Sequence, residues 1–386
     1  CFRFSIAMTT LETSPSAGSP ATKQAFRPGE RWLDEAGIPI NAHGGGILFH
    51  EGIHYWYGEH KIAGPAGNCA QVGVHVYSSD DLLAWRDRGI ALEVSTDPAS
   101  EITAGCILER PKVLFNSRTG KFVMWFHLEP KGLGYDGSRS GVAVADRPEG
   151  PFLFLRSLRP NAGVWPQNVP AEEKKPLTSD ESAGLQEMDL PGGPRPYYPK
   201  HLGFRRDFTG GQMARDMTLF LDDDGCAYHI YASENNGTLH ISLLSDDFLS
   251  PAGRYIRIFP GRFHEAPALM KWKGRYWLFT SGCTGWAPND ARLSCADSIW
   301  GPWEELGNPC LGDGAAIATT FQSQSTFILP VHGVADAFIF MADRWAPHDA
   351  IDGRYVWLPV RFLYNTPMIE WVDEWSSDVF QAGSAS

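Results

Sequence analysis

Five short polar stretches in this chain each stand immediately before an apolar, strand-like segment. They are Asn41-Ala42-His43-Gly44-Gly45-Gly46, Glu109-Arg110-Pro111, Ala214-Arg215-Asp216, His264-Glu265-Ala266-Pro267 and Gln322-Ser323-Gln324. Glu109, Asp216 and Glu265 therefore occupy matching places in different segments. A strand start needs no carboxylate, and the plain alternative is local pairing, for instance of Glu109 with Arg110. Carboxylates that converge on one cleft are the equipment of glycosidic-bond hydrolysis. One of them must be protonated near neutral pH, and an ionised neighbour achieves this by like-charge repulsion.

The elements that must bring these residues together form a repeat. Five segments share an apolar strand, a tight turn and an aromatic strand: residues 46–57, 111–126, 217–231, 267–279 and 325–340. His50-Glu51-Gly52, Asp224-Gly225 and Lys273-Gly274 carry hairpin chemistry, because glycine takes the positive φ the turn requires. Each hairpin is followed by a second strand pair, the later member of which is placed at residues 78–85, 148–152, 246–249, 299–303 and towards Trp371. Two hairpins per unit, five times over, predict an all-β, five-bladed β-propeller with four-stranded blades. Residues 160–208, with several prolines, Gly192-Gly193 and the cluster Glu172-Glu173-Lys174-Lys175, read as a long loop on one face. No long window shows helical periodicity.

A chain of 386 residues could hold two domains, but propellers of this size form one. Residues 1–25 read as a flexible leader and 26–386 as the propeller. The formal net charge of −12 argues against nucleic acid, which rewards basic surfaces. Fourteen Trp and twelve Tyr suit a sugar-binding cleft, although most must serve as core. The seven cysteines show no C-x-x-C pair, so a zinc site is not expected and mostly free thiols are, with Cys310 pairing to Cys283 or Cys295 left open. No run is apolar enough for a transmembrane helix. Cys1 suits a secreted, periplasmic or lipid-anchored protein, with a cytoplasmic one left open; oligomeric state is not legible.

The chain resembles glycoside hydrolase family 43, the five-bladed inverting hydrolases, over roughly residues 26 to 376, and within it the exo-β-1,3-galactanase-like, arabinogalactan-degrading branch. The resemblance is carried jointly by residues 42–48, Tyr57-Gly58-Glu59, residues 109–113, 124–127, Arg215-Asp216, Glu265-Ala266-Pro267, residues 285–289, Ser323-Gln324 and Asp343-Arg344-Trp345. It implies Glu265 as general acid and Asp216 as the residue that tunes it. The aspartate base usual at the start of blade one is missing, since His43-Gly44-Gly45 stands there. The galactanase-like branch lacks it too, which points to Gln324 for handling water, as orienter or unusual tautomer, and to Glu109 for sugar binding. His43, Glu59, Tyr135, Arg215, Trp286 and Arg344 are further candidates for substrate contact, each with a structural alternative. Asp222-Asp223-Asp224-Gly225 reads as a hairpin turn; no cofactor is called for, and a structural calcium is left open. The expected activity is exo-acting, inverting release of galactose from β-1,3-galactan or arabinogalactan-type polysaccharide. The alternatives are an α-L-arabinofuranosidase or β-D-galactofuranosidase of the same fold, and, in another class, a non-catalytic carbohydrate-binding propeller.

Overall fold

A computed structural model describes residues 25–188 and 202–381; Cys1 and the segment read as a leader lie outside them, apart from Ala25. Blade one contains β1 (His43–His50), β2 (Ile53–His60), β3 (Gly73–Ser79) and β4 (Arg86–Glu93). Blade two contains β5 (Ile107–Asn116), β6 (Lys121–Glu129), β7 (Arg139–Ala145) and β8 (Leu153–Leu158). Blade three contains β9 (Met217–Leu221), β10 (Ala227–Ser233), β11 (Thr238–Leu244) and β12 (Pro251–Ile258). Blade four contains β13 (Glu265–Trp272), β14 (Arg275–Ser281), β15 (Ala291–Ala296) and β16 (Glu304–Gly307). Blade five adds a short β17 (Cys310–Leu311), parallel to β21 (Thr366–Glu370), to the antiparallel series β18 (Gln324–Pro330), β19 (Phe338–Arg344) and β20 (Arg354–Leu363). Each sheet is a meander, and β1, β5, β9, β13 and β18 touch in a closed ring around the axis. The chain is a five-bladed propeller, as the hairpin repeat predicts.

The strands read as continuous apolar runs because both faces of each blade are covered. On β6, Phe122, Met124, Phe126 and Leu128 pack with blade one, while Val123 and Trp125 pack with blade three. On β14, Tyr276 and Leu278 face blade three, and Trp277 and Phe279 face blade five. Five buried clusters thus fill the five interblade spaces, and the period of two decides which neighbour each side chain meets. The last space closes the ring: Phe26 pairs with Trp375 and joins Trp32, Trp56 and Trp357 in the cluster between blades five and one.

Two expectations shift. The outermost strands begin later than the sequence suggests, at Arg86, Leu153, Pro251 and Glu304. The stretches read as strands are turns, with Ser79 and Asp81 side chains, for example, capping the backbone of Leu82, Leu83 and Ala84. The long loop carries a helix, α1 (Ser179–Met188), entered through a reciprocal cap in which Thr178 and Glu181 bond each other's backbone. Cys69, Cys106, Cys226, Cys283, Cys295 and Cys310 are all free thiols, so neither suggested pairing with Cys310 forms. Among the described residues no helix is long and apolar enough to cross a membrane.

Candidate active site

In four blades the innermost strand is bulged at its first residues. The register with the second strand slips between His43 and Gly46, Glu109 and Lys112, Glu265 and Ala268, and Ser325 and Phe327. The residue after each leading polar group in the first three is left-handed: Gly44 at φ 62°, Arg110 at 56° and Ala266 at 51°. A bulge breaks the alternation of a strand and re-aims a side chain. Left-handed non-glycine residues persist only where their surroundings hold them. Here the device turns Glu109 and Glu265 out of the blade plane towards the axis.

Arg110 is the hub of the resulting cluster. Its guanidinium forms a fork with Asp216, Nε to Oδ1 at 3.2 Å and Nη2 to Oδ2 at 2.9 Å. It also donates to the Ser325 carbonyl at 3.1 Å and to Gln324 Oε1 at 2.7 Å, and lies 5.1 Å from the Trp345 ring centre. Its backbone N–H donates to Glu59 at 3.0 Å. Glu109 does not pair with it. Glu109 instead meets His127 at 3.3 Å, and His127 contacts Glu129 on its other side at 3.0 Å.

Glu265 accepts from Asn236 Nδ2 at 2.5 Å and from the Cys283 thiol at 3.2 Å. Asp216 accepts from the Ala266 N–H at 3.1 Å, which ties it beside Glu265. Burial first, and then the Asp216 charge, push the Glu265 carboxyl up to about 7, against the pull of Cys283, Arg110 and Arg215. Glu109 is driven the other way. Burial would raise it, but His127, Lys61 and Arg110 outweigh that and hold it at about 2. His127, the more deeply buried of the two, is lifted to about 9 by its two carboxylates. One protonated and several ionised groups therefore face a common axis.

Gln324 is fixed at three points. Its carbonyl oxygen accepts from Arg110 and, at 2.8 Å, from the Trp345 indole N–H, while its Nε2 donates to Ser281 at 2.9 Å. Two N–H donors must meet the carbonyl, so the amide orientation is determined.

The other candidates divide. Arg215 enters the cluster's edge, bonding Ser138 and Asn235 at 3.0 Å each. Trp286 is 43% exposed and stands edge-on to Trp345 at 5.8 Å, at the rim. Glu59 is buried behind Arg110, with Lys61 Nζ at 2.6 Å, and positions that residue rather than reaching the mouth. His43 is buried and stacked on Tyr355 at 5.1 Å; burial, with Lys61 and Arg354 nearby, lowers its imidazole to about 3. Arg344 points away: it donates twice to the Phe321 carbonyl, at 3.1 and 2.9 Å, and covers Trp371. Strand alternation gives the reason, since Asp343 and Trp345 on either side face the axis. The Tyr135 side chain lies outside the described residues. Asp222 behaves as a turn residue, with both oxygens taken by Lys271 at 2.6 Å and Tyr276 at 2.5 Å. Ligand atoms of Glu109, His127 and Asp216 lie within 4.8 Å of one another. Arg110 and the His127 proton already compensate those carboxylates, which suits a neutral polyol better than a cation.

Comparison with known proteins agrees with this chemistry. The profile of glycosyl hydrolases family 43 matches residues 195–325. A solved family 43 β-1,3-galactosidase bearing galactodeoxynojirimycin is 51% identical, with a TM-score of 0.85, over 91% of this chain and 100% of its own. This chain belongs to glycoside hydrolase family 43. Among other solved members of family 43, the exo-β-1,3-galactanase of Phanerochaete chrysosporium, seen with β-1,3-galactotriose, is 30% identical over 94% of this chain and 70% of its own, TM-score 0.73. That of Clostridium thermocellum is 33% identical over 91% and 66%, TM-score 0.72. A β-D-galactofuranosidase of Aspergillus niger is 30% identical over 120 residues, and this chain spans about a third (34%) of its length. Where the family resemblance leads one to expect a carboxylate base, blade one has His43-Gly44-Gly45, and side chains are crowded out at the two glycines. A Cβ on Gly45 would stand 1.6 Å from the Tyr57 carbonyl oxygen, and one on Gly44 2.3 Å from Glu59 Oε1.

Proposed function

We propose that this glycoside hydrolase is an exo-acting, inverting β-1,3-galactosidase. The observation that carries the reading is the pairing of a Glu265 carboxyl held near 7 with an adjacent Asp216 carboxylate forked by Arg110. A carbohydrate-binding propeller has no use for a tuned acid. Glu265 protonates the departing glycosidic oxygen and Asp216 keeps it protonated. Gln324 holds the attacking water: with two donors on its oxygen the amide stays in the carbonyl form, so it orients rather than accepts a proton. Glu109, ionised, accepts hydrogen bonds from sugar hydroxyls, and Trp286 offers an exposed face at the mouth. The pyranose reading draws on relatives aligned over nearly this whole chain, whereas the furanose reading draws on one aligned over less than a third of it.

The test is incubation with β-1,3-galactobiose and galactotriose, beside aryl galactofuranoside and arabinofuranoside controls. Proton NMR should show galactose appearing first as the α-anomer. First-formed β-galactose would exclude inversion, and turnover confined to the furanosides would exclude the pyranose reading.

A further inference from the structure

The turn between β10 and β11 holds three consecutive non-glycine residues in left-handed backbone: Glu234 at φ 54°, Asn235 at 54° and Asn236 at 65°. Each such residue costs about 1–2 kcal/mol when its type does not favour the conformation, and asparagine is among the few that tolerate it. The strain is held by a buried anchor. Glu234 is fully buried and forked by Arg257, Nε at 2.6 Å and Nη2 at 2.9 Å, with His240 at 2.9 Å. Among the described residues, these anchoring groups make no hydrogen bond to Glu265, Asp216 or Gln324. Their effect is to aim the next two side chains at it: Asn235 receives Arg215 at 3.0 Å, and Asn236 donates to Glu265.

Both donors to Glu265, Asn236 Nδ2 and the Cys283 thiol, meet the same atom, Oε1. Among the described residues no donor meets Oε2. Resting on the assignment of Glu265 as the acid, we propose that Asn236, held by the left-handed turn and assisted by Cys283, is a positioning residue that fixes Oε2 as the oxygen that carries and delivers the proton. An oxygen already accepting two hydrogen bonds is the poorer site for a proton, so the proton resides on the other. In turnover it passes from Oε2 to the glycosidic oxygen as the bond to the anomeric carbon breaks. Water supplies the new hydroxyl, and its released proton returns through solvent to Glu265.

The charged and titratable groups acting on Glu265 are Asp216, Arg110, Arg215 and Cys283. Asn236 adds an uncharged donor that favours the ionised carboxylate. Its loss therefore moves the alkaline limb of the rate profile to higher pH, while the free rotation of the acid slows proton delivery. Asn236→Gly removes the amide without disturbing the left-handed backbone, and thermal unfolding checks that it folds. For aryl galactosides with poor leaving groups, kcat should fall on the order of 10–100-fold. KM should change little, and activated leaving groups should be nearly unaffected. Asn236→Asp, isosteric but anionic, should move the limb further up. Cys283→Ala should show a weaker form of the Asn236→Gly effect, and Cys283→Ser, which keeps a donor, a smaller one than Cys283→Ala.

Equal losses for both kinds of leaving group, or an unmoved limb in folded Asn236→Gly, would overturn the proposal. A limb moved downwards would also overturn it, because the amide would then be accepting the acid's proton. Glu265→Gln run in parallel separates the two levels: full activity on poor leaving groups there removes the acid assignment itself, whatever Asn236→Gly does.

Discussion

Glu109 and Glu265 occupy the same place in blades two and four, and their surroundings drive them to opposite charge states. Each stands at the bulge of an innermost strand, is followed by one left-handed residue and a proline, and turns towards the axis. Two local choices separate them. Across the strand pair, Glu109 faces His127 and Glu265 faces Ser281. In the intervening position blade two has Arg110, and blade four has Ala266, whose backbone N–H instead secures Asp216. Around Glu109 the cations outweigh burial, whereas around Glu265 burial and a like charge outweigh Arg110 and Arg215. The propeller supplies equivalent sockets, and cross-strand neighbours decide which carboxyl is acid and which is anion.

Removing the acid breaks the comparison most severely. Glu265→Gln should lower kcat on β-1,3-galactobiose by about 10²–10⁴-fold, with much less loss on aryl galactosides whose leaving groups need no protonation. Steady-state kinetics on both substrates checks it, and equal losses would contradict the role.

Asp216→Asn tests the neighbour that raises Glu265. The variant loses the like charge and also leaves Arg110 without its carboxylate, and both changes favour ionised Glu265. Glu265 must be protonated to act, and its carboxyl is raised to about 7 in the parent, so the alkaline limb that it sets should move to lower pH. Activity at pH 7.5 should then suffer more than at pH 5. A profile scaled down without displacement would take Asp216 out of the tuning role.

His127→Gln should weaken the cation side, and its signature is in stability. His127 is raised to about 9 in the fold, so its contribution is complete below its unfolded value near 6.5 and is lost as pH rises through 9. Glu109 is depressed to about 2, so its contribution is complete above about 4.3 and is lost as pH falls towards 2. The parent's advantage over the variant should peak at about 2 kcal/mol between roughly pH 4.5 and 6.5, measured by urea unfolding across pH 3–10. A difference that does not vary with pH would show that the charges are not its source.

The fold was legible because turn glycines punctuate a repeat whose strands are apolar on both faces. The leading carboxylates were legible for a related reason: such a strand needs no carboxylate at its start. What escaped notice depended on direction or on contacts between distant segments. Nothing in Glu109-Arg110-Pro111 says that a bulge swings Arg110 past its neighbour to Asp216, some hundred positions away. Asn236 and Cys283 reach Glu265 from two separate loops. The outer strands were misplaced because capped turns such as residues 79–85 carry strand-like apolar residues. For Arg344 the structural alternative was legible, since alternation with Asp343 and Trp345 turns it from the axis.

The crowding at Gly44 and Gly45 constrains how this lineage can change. At Gly45 an added side chain would collide with main chain, which no repacking nearby can move aside. At Gly44 it would collide with Glu59, which is held by Lys61 and the Arg110 backbone. An aspartate at position 44 requires the Glu59 carboxylate to move aside, which disturbs its bonds to Lys61 and to the Arg110 backbone. A carboxylate in blade one therefore calls for re-seating Glu59 as well as replacing a glycine.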